Sequence, residues 1–471
     1  MKRLGGWDAV LLYNETPNLH QHTLKIAVVD ASNNPEFGFD RFRRTLARRL
    51  HLMEPLRYRL VEIPGKVHHP MWLENCDVDL DYHVRRMQIA PPGGHRELDA
   101  AIGEIASTPL DRTKPLWEFH FIEGMADGRY AIVGKVHHAL ADGVASANLM
   151  AVGLDLADAP QPERDDYRHD PPPSDTQLVV AAMRDHLYRL RKLPGLVWYT
   201  LKGIRRVRRD STSAPGLARN FHPPATFLNH VVSPGRTFAG ALLPLAQVKE
   251  TAKHLGVTIN DVVLAVTAGA LRTLMLKYDG HADEPLLCGV PVSIDASRQR
   301  ISGNALGSIV VSLPVHVADP LEWVRLARIG STVGKENTRL LGSELMHRWS
   351  NYAPPALTER LFHRMAMSES PNKLINIPVS NVPGPRDPGR IAGAPLVELY
   401  SVGPLTFGIG VNITVWSYVD QLSLNVLADD ATVDDPHEVT DAMVDAFALI
   451  RQAAGLSVQG AKGSAARRTG S

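Results

Sequence analysis

Short apolar stretches recur along the whole chain, and two spacings account for most of them. Residues 23-TLKIAVVDA-31 form a nearly continuous apolar, β-branched run and read as a strand. The spacing then turns helical over 40-DRFRRTLARRLHLM-53, with Phe42, Leu46 and Leu50 on one face and Asp40 placed to cap it. A second helical segment, 98-LDAAIGEIASTPLD-111, runs until Pro109. Two β-rich runs follow, 117-WEFHFIEG-124 and 129-RYAIVGKVHHA-139, and 127-DG-128 between them is a hairpin-turn signal. Then 144-VASANLMAVGLDL-156 reads as a helix.

The pattern breaks after this point. Residues 157–177 are rich in Pro and Asp, including 171-PPPSD-175, and read as a linker. The segment 184-RDHLYRLRKLPGLVWYTLKGIRRVRRD-210 is basic and amphipathic, and a loop continues to about Pro224. The alternation then restarts. Strands are expected at 238–245, 285–294, 306–317, 373–384, 408–419 and 421–428, and helices at 246–256, 258–278, 321–340 and 436–452. Strands and helices segregate rather than alternate regularly, which predicts an α+β fold of layered sheets and helices. The expected units are a first domain over 1–156, a crossover linker over 157–225 and a second domain over 226–455. The small, basic tail 456–471 is expected to be disordered.

Composition narrows the classes. A chain of 471 residues exceeds one ordinary core. Lys plus Arg number 51 against 50 Asp plus Glu, so nothing global draws the chain to nucleic acid. Two cysteines, Cys76 and Cys288, exclude a disulfide framework, and no Cys/His spacing suggests a metal site. The N-terminus has no signal-peptide pattern. The most apolar run, 261-DVVLAVTAGALRTLML-276, is broken by Arg272 and reads as a buried helix. A cytoplasmic protein is expected, either soluble or peripheral at a membrane surface.

The candidate chemistry lies in 135-KVHHALADG-143, partly copied at 66-KVHHPMW-72. A strand delivers His137 and His138 into a loop, Asp142 follows four residues after His138, and Gly143 opens a helix. Imidazole at such a strand end can take a proton from a hydroxyl and return it to a leaving group. Asp142 can brace the loop against a buried Arg or backbone N–H groups, and Gly143 permits a tight turn. The pair at 68–69 lacks the Asp-Gly and reads as structural or as a surface feature. There is no nucleophile elbow, zinc-protease motif or P-loop, which favours direct general-base transfer over an acyl-enzyme.

HHxxxDG resembles the signature of acyltransferases with the chloramphenicol-acetyltransferase-like fold. Within that group the chain resembles the bacterial wax ester synthase/diacylglycerol acyltransferase family along nearly its whole length. The matching stretches include 4-LGGWDAVLLYNETP-17, 109-PLDRTKPLWEFHFIEG-124, 137-HHALADG-143, 226-TFLNHVV-232, 257-VTINDVVLAVTAGALR-272, 378-PVSNVPGP-385 and 410-GVNITVWSYVDQLSLNVLADD-430. The resemblance implies two two-layer α/β sandwich domains joined by a long crossover, with an active-site tunnel between them. It implies acyl transfer from acyl-CoA, as co-substrate and without a bound cofactor or metal, to diacylglycerol or a long-chain alcohol. His138 would be the general base, His137 its support, and Asp142 and Gly143 the loop's brace and turn. Asn260, Asp261 and Trp117 would support the site. Asn260-Asp261 equally fits a helix N-cap, and Trp117 fits core packing.

Three departures from the family pattern bear on substrate choice. Asp295 stands where the family has an arginine, and Arg298 or Arg300 can replace it only if the loop is rearranged. Ala305 stands in place of a larger polar residue, and 20-HQHTLKIA-27 diverges as well. Triacylglycerol synthesis is the first expectation, with wax ester synthesis or a weakly active lipid-binding role as alternatives. Nine basic residues interleaved with Leu, Tyr and Trp over 184–210 suggest attachment to a membrane or lipid-droplet surface.

Overall fold

The computed structural model describes residues 1–153, 171–210, 213–295, 297, 299–342, 344–368 and 374–457. Most of the linker's Pro/Asp-rich stretch and nearly all of the expected disordered tail lie outside the described residues.

Two six-stranded sheets, each faced by helices, make the α+β architecture. The first sheet is built around His22–Asp30. This strand pairs antiparallel with Arg129–His137 on one side and Ala394–Val402 on the other. Trp117–Glu123 and Val84–Gln88 extend it, and Arg390–Ile391 closes the opposite edge. The strand's unbroken apolar run has a physical cause: both of its faces are covered. Leu24, Ile26 and Val28 pack with the helix His95–Ser107. Ala27 and Val29 pack with Phe42 and Leu46 of the helix Phe39–Arg49.

The second sheet runs in the order Leu306–Leu313, Leu286–Ser293, Ile377–Val382, Val411–Tyr418, Gln421–Asp429, Arg236–Pro244. Ile377–Val382 is parallel to both neighbours, and the other pairs are antiparallel. The helices Ile259–Tyr278, Pro320–Leu341 and His437–Ala453 cover it. They approach closely at Gly269, where an added Cβ would lie 2.5 Å from the Trp323 ring and 2.9 Å from Ala446. Ile259–Tyr278 is long and apolar enough to cross a membrane, yet most of it is buried in this core.

Two expectations change. The unit expected over 226–455 does not keep to itself: Arg390–Ile391 and Ala394–Val402 leave it and join the first sheet. Alternation along a strand reports burial and cannot report which sheet receives it. The basic interval forms one 36-residue helix, Asp175–Asp210, that begins nine residues before the amphipathic segment and carries Pro194 inside. At about 1.5 Å per residue it spans roughly 54 Å. Its inner side buries Leu178 and Ala182 against Ile63 and Met71 of the first half. Further along, an added Cβ on Gly203 would lie 2.6 Å from the Leu341 carbonyl of the second half.

Candidate active site

Register sets the histidine pair. His22 opposes His137 across the first sheet, and the His138 N–H donates to the Gln21 carbonyl at 2.7 Å, continuing the ladder by one residue. Successive strand residues face opposite sides. Lys135 and His137 turn toward the helix His95–Ser107, where the Lys135 Nζ donates to the carbonyls of Ile105 and Thr108. His138 shares the other face with Val136 and Gly134.

His137 is fully buried. Its Nδ1 accepts the Ala139 N–H at 3.0 Å, so the proton sits on Nε2, 3.4 Å from the Glu15 carboxylate. Glu15 also accepts two N–H groups of Arg112, at 2.9 and 2.7 Å. Burial would raise the Glu15 pKa, but His137 and Arg112 outweigh it and hold the carboxylate well below its usual range. The ring is held at Nδ1 by the Ala139 N–H and faces Glu15 with Nε2, and so holds the loop's geometry.

His138 is half-buried, and its backbone is fixed at both ends. Its carbonyl accepts the Asn304 Nδ2–H at 2.8 Å. Asn304 in turn donates its backbone N–H and Nδ2–H to Asp8, at 3.1 and 2.8 Å. Burial pushes the Asp8 carboxyl up to about 6, against the Asn304 donors, and nearby Asp142 adds to the rise. Burial also lowers the His138 pKa, so the imidazole is neutral near neutral pH. Its Nδ1 is enclosed. Nε2 has no hydrogen-bond partner among the described residues and is the nitrogen left for a substrate.

Asp142 is fully buried and joins the two halves of the chain. It caps the helix Gly143–Gly153: the Ala145 N–H donates to Oδ1 at 2.9 Å. From the second half, Arg300 Nη2 lies 2.9 Å from Oδ1 and 2.8 Å from Oδ2, and the Ala305 N–H donates to Oδ2 at 2.9 Å. Arg300 also donates to the carbonyls of Gly303 and Asp295. Arg300 thus supplies a guanidinium to Asp142; Arg298 lies outside the described residues. Ala305 contributes only its backbone N–H here, so its small side chain leaves Asp142 satisfied.

Gly143 acts differently from expectation. Its φ is not in the left-handed region. An added Cβ would instead stand 3.1 Å from Val382, at the end of a second-sheet strand, so a close approach between the halves accounts for the glycine. Trp117 is fully buried, stacks on His83 and donates to the Leu56 carbonyl at 2.6 Å. It is scaffold, and beside it the Leu116 carbonyl holds the His137 N–H at 3.0 Å. Asp261 closes a capping box whose N-cap is Thr258, at the start of the helix Ile259–Tyr278. It exchanges hydrogen bonds with Thr258 and accepts one from Ser331 at 2.6 Å. The side chain of neighbouring Asn260 is half-buried and has no hydrogen bond among the described residues, and none of these contacts reaches His138. The other pair, His68 and His69, is buried rather than on the surface. His68 lies 3.0 Å from Arg3 and 2.7 Å from Asp185, and His69 lies 2.9 Å from the Tyr13 hydroxyl.

On the His138 face of the sheet lies a mostly apolar cavity of about 100 Å³. Phe42, Leu46, Phe119, Ile132 and Leu149 line it, and Lys25 and Arg49 are its charged members.

Sequence reasoning did not single out Asp8, Glu15, Arg112 or Asn304. Asp8 and Glu15 both lie in 4-LGGWDAVLLYNETP-17, one of the stretches that carries the family resemblance, and that was the available signal.

Residues 4–263 match the wax ester synthase/diacylglycerol acyltransferase catalytic domain family, and residues 302–451 match the WS/DGAT C-terminal domain family. A Mycobacterium tuberculosis H37Rv protein named "Putative diacyglycerol O-acyltransferase" is 56% identical over 461 residues, covering 98% of each chain. A second protein of that strain and name is 33% identical over 93% of this chain and 94% of its own. The solved wax ester synthase/diacylglycerol acyltransferase from Marinobacter aquaeolei VT8 superposes with a TM-score of 0.69 at 25% identity, covering 97% of this chain and 100% of that one. The first condensation domain of the CDA synthetase shares the fold, with a TM-score of 0.57 at 16% identity over 96% of each chain.

Arg300→Met would leave the Asp142 carboxylate buried without its cation. It is expected to cost about 3–5 kcal/mol, read as a lower urea midpoint. An unchanged midpoint would contradict this role for the pair.

Proposed function

The chain belongs to the wax ester synthase/diacylglycerol acyltransferase family, and we propose that within it this protein moves a long-chain acyl group from acyl-CoA to diacylglycerol, with His138 as general base. The observation that carries this reading is the His138 ring itself. It is neutral, its backbone is held by Gln21 and Asn304, and its Nε2 is unbonded on the face that carries the cavity.

His138 Nε2 takes the acceptor hydroxyl proton as that oxygen forms a bond to the thioester carbonyl carbon. The tetrahedral intermediate collapses, the C–S bond breaks, and the imidazolium returns the proton to the CoA sulfur. His137 touches no substrate in this scheme and positions the loop through Glu15. Holding both substrates beside one fixed base supplies much of the rate advantage. The mostly apolar cavity suits an alkyl chain. The reaction needs acyl-CoA as co-substrate and no bound cofactor.

The substrates dissolve in lipid, and the long helix offers a way to reach them. Val180, Met183, Leu187, Leu190, Trp198 and Leu201 are exposed and fall on one side of Asp175–Asp210. Leu178, Ala182, Leu196 and Gly203 are buried on the opposite side. Arg184, Arg191, Lys202, Arg205, Arg206 and Arg208 lie beside or within the exposed stripe. An apolar stripe set among cations fits the anionic inner face of a membrane or a lipid-droplet surface.

Wild-type protein given labelled palmitoyl-CoA, diacylglycerol and hexadecanol is expected to label triacylglycerol. His138→Ala is expected to lower the rate about 10²–10⁴-fold. Equal product from His138→Ala would reject the base, and label entering only wax ester would reject the acceptor. In liposome flotation, a variant with Arg205, Arg206, Arg208 and Arg209 all changed to Gln is expected to lose binding to anionic vesicles. Equal binding would reject the electrostatic part.

A further inference from the structure

Lys25 is a buried amine in an apolar place, and burial pulls its pKa down to about 7. It sits mid-strand in His22–Asp30, opposite Gly134, and is 9% exposed. Thr23, Lys25 and Ala27 oppose Val136, Gly134 and Ile132, and all six line the cavity on the His138 face. The Nζ donates to the Ser401 hydroxyl and lies 4.3 Å over the Trp416 ring. Among the described residues no carboxylate lies within ion-pair distance of it. The amine keeps at least two N–H donors in either protonation state, and Ser401 answers one. A buried amine with unanswered N–H donors costs stability unless a ligand completes its contacts.

The neighbourhood indicates which ligand fits. The strand rises about 3.3 Å per residue, so Lys25 lies four positions, roughly 13 Å, from His138 along the sheet. An imidazole, a glycerol backbone with its ester groups and a lysine side chain together cover that span. A simple acyl chain from the donor has no oxygen to offer there, and neither has the chain of a long-chain alcohol. Diacylglycerol carries ester carbonyl oxygens beside its free hydroxyl, and each is an acceptor for an N–H donor.

We propose that Lys25 is the acceptor-selecting residue: its free N–H groups bind an ester carbonyl of diacylglycerol in the cavity on the His138 face of the sheet, and a plain alcohol leaves them unanswered. This rests on the acyl-transfer reading for the identity of the acceptor. A site that hydrogen-bonds a substrate oxygen rejects the analogue lacking it, because its own polar group is left unpaired.

The test compares binding, so it does not depend on turnover. Isothermal titration of 1,2-dioctanoylglycerol and of 1-decanol would be run on wild type, Lys25→Met and Lys25→Arg. Lys25→Leu serves as a second apolar variant, so that either one that folds decides the outcome. The apolar variants are expected to bind dioctanoylglycerol roughly tenfold more weakly or worse, and decanol at least as tightly as wild type. Lys25→Arg keeps the donors and is expected to keep the preference. Equal changes for both ligands, or no change for either, would overturn the proposal. The acyl-transfer reading fails separately, if wild type makes neither product.

Discussion

A carboxylate sealed from water holds the site together. Asp142 stands at the end of a first-half loop, yet its strongest partner, Arg300, comes from the second half. Two backbone N–H groups, one from its own helix and one from Ala305, complete its contacts. Burying a charge this way is tolerable only when its lone pairs are answered, so both halves must close on it together. The same loop from the second half brings Asn304 to the His138 carbonyl. Closure of the halves and placement of the base are therefore one event.

The alternation of a single strand divides the remaining labour. One face carries Lys135 and His137 into a polar layer with Glu118, Glu15 and Arg112. The other carries Gly134 and Val136 along the apolar cavity, and His138 follows them just past the strand's end. Adjacent histidines with near-identical chemistry thus meet opposite environments. One is held by the Ala139 N–H and faces the Glu15 carboxylate, and the other keeps Nε2 for a substrate.

Much of this was legible in the sequence. The apolar run at 23–31, the helical spacing of Phe42 and Leu46, and the β-rich run over 129–139 all correspond to elements close to their expected bounds. The HHxxxDG spacing led to His138 and Asp142 because strand, loop and helix start are local features. Long-range features were not legible. The transfer of Ala394–Val402 into the first sheet depends on which edge is open, and no residue in that strand records it. Arg300 was one of two candidate arginines, and only the loop's path selects it. Gly143 looked like a turn residue, and the approach of Val382 supplies the actual reason. Asp8 and Glu15 lie more than a hundred residues before the histidines they support, so spacing alone could not connect them.

The account rests on a neutral imidazole at position 138 that accepts a proton. The most direct measurement is the pH dependence of kcat/KM for acyl transfer, with folding checked by circular dichroism at each pH. Burial lowers the His138 pKa below its ordinary value of 6.5, so the base stays unprotonated to lower pH than a free imidazole would. The account predicts a level rate through neutral pH and an acid limb, falling about tenfold per pH unit, centred below 6.5 and displaced only by changes around His138. A rate still climbing between pH 7 and 8 would assign the proton acceptor to another group and contradict the account.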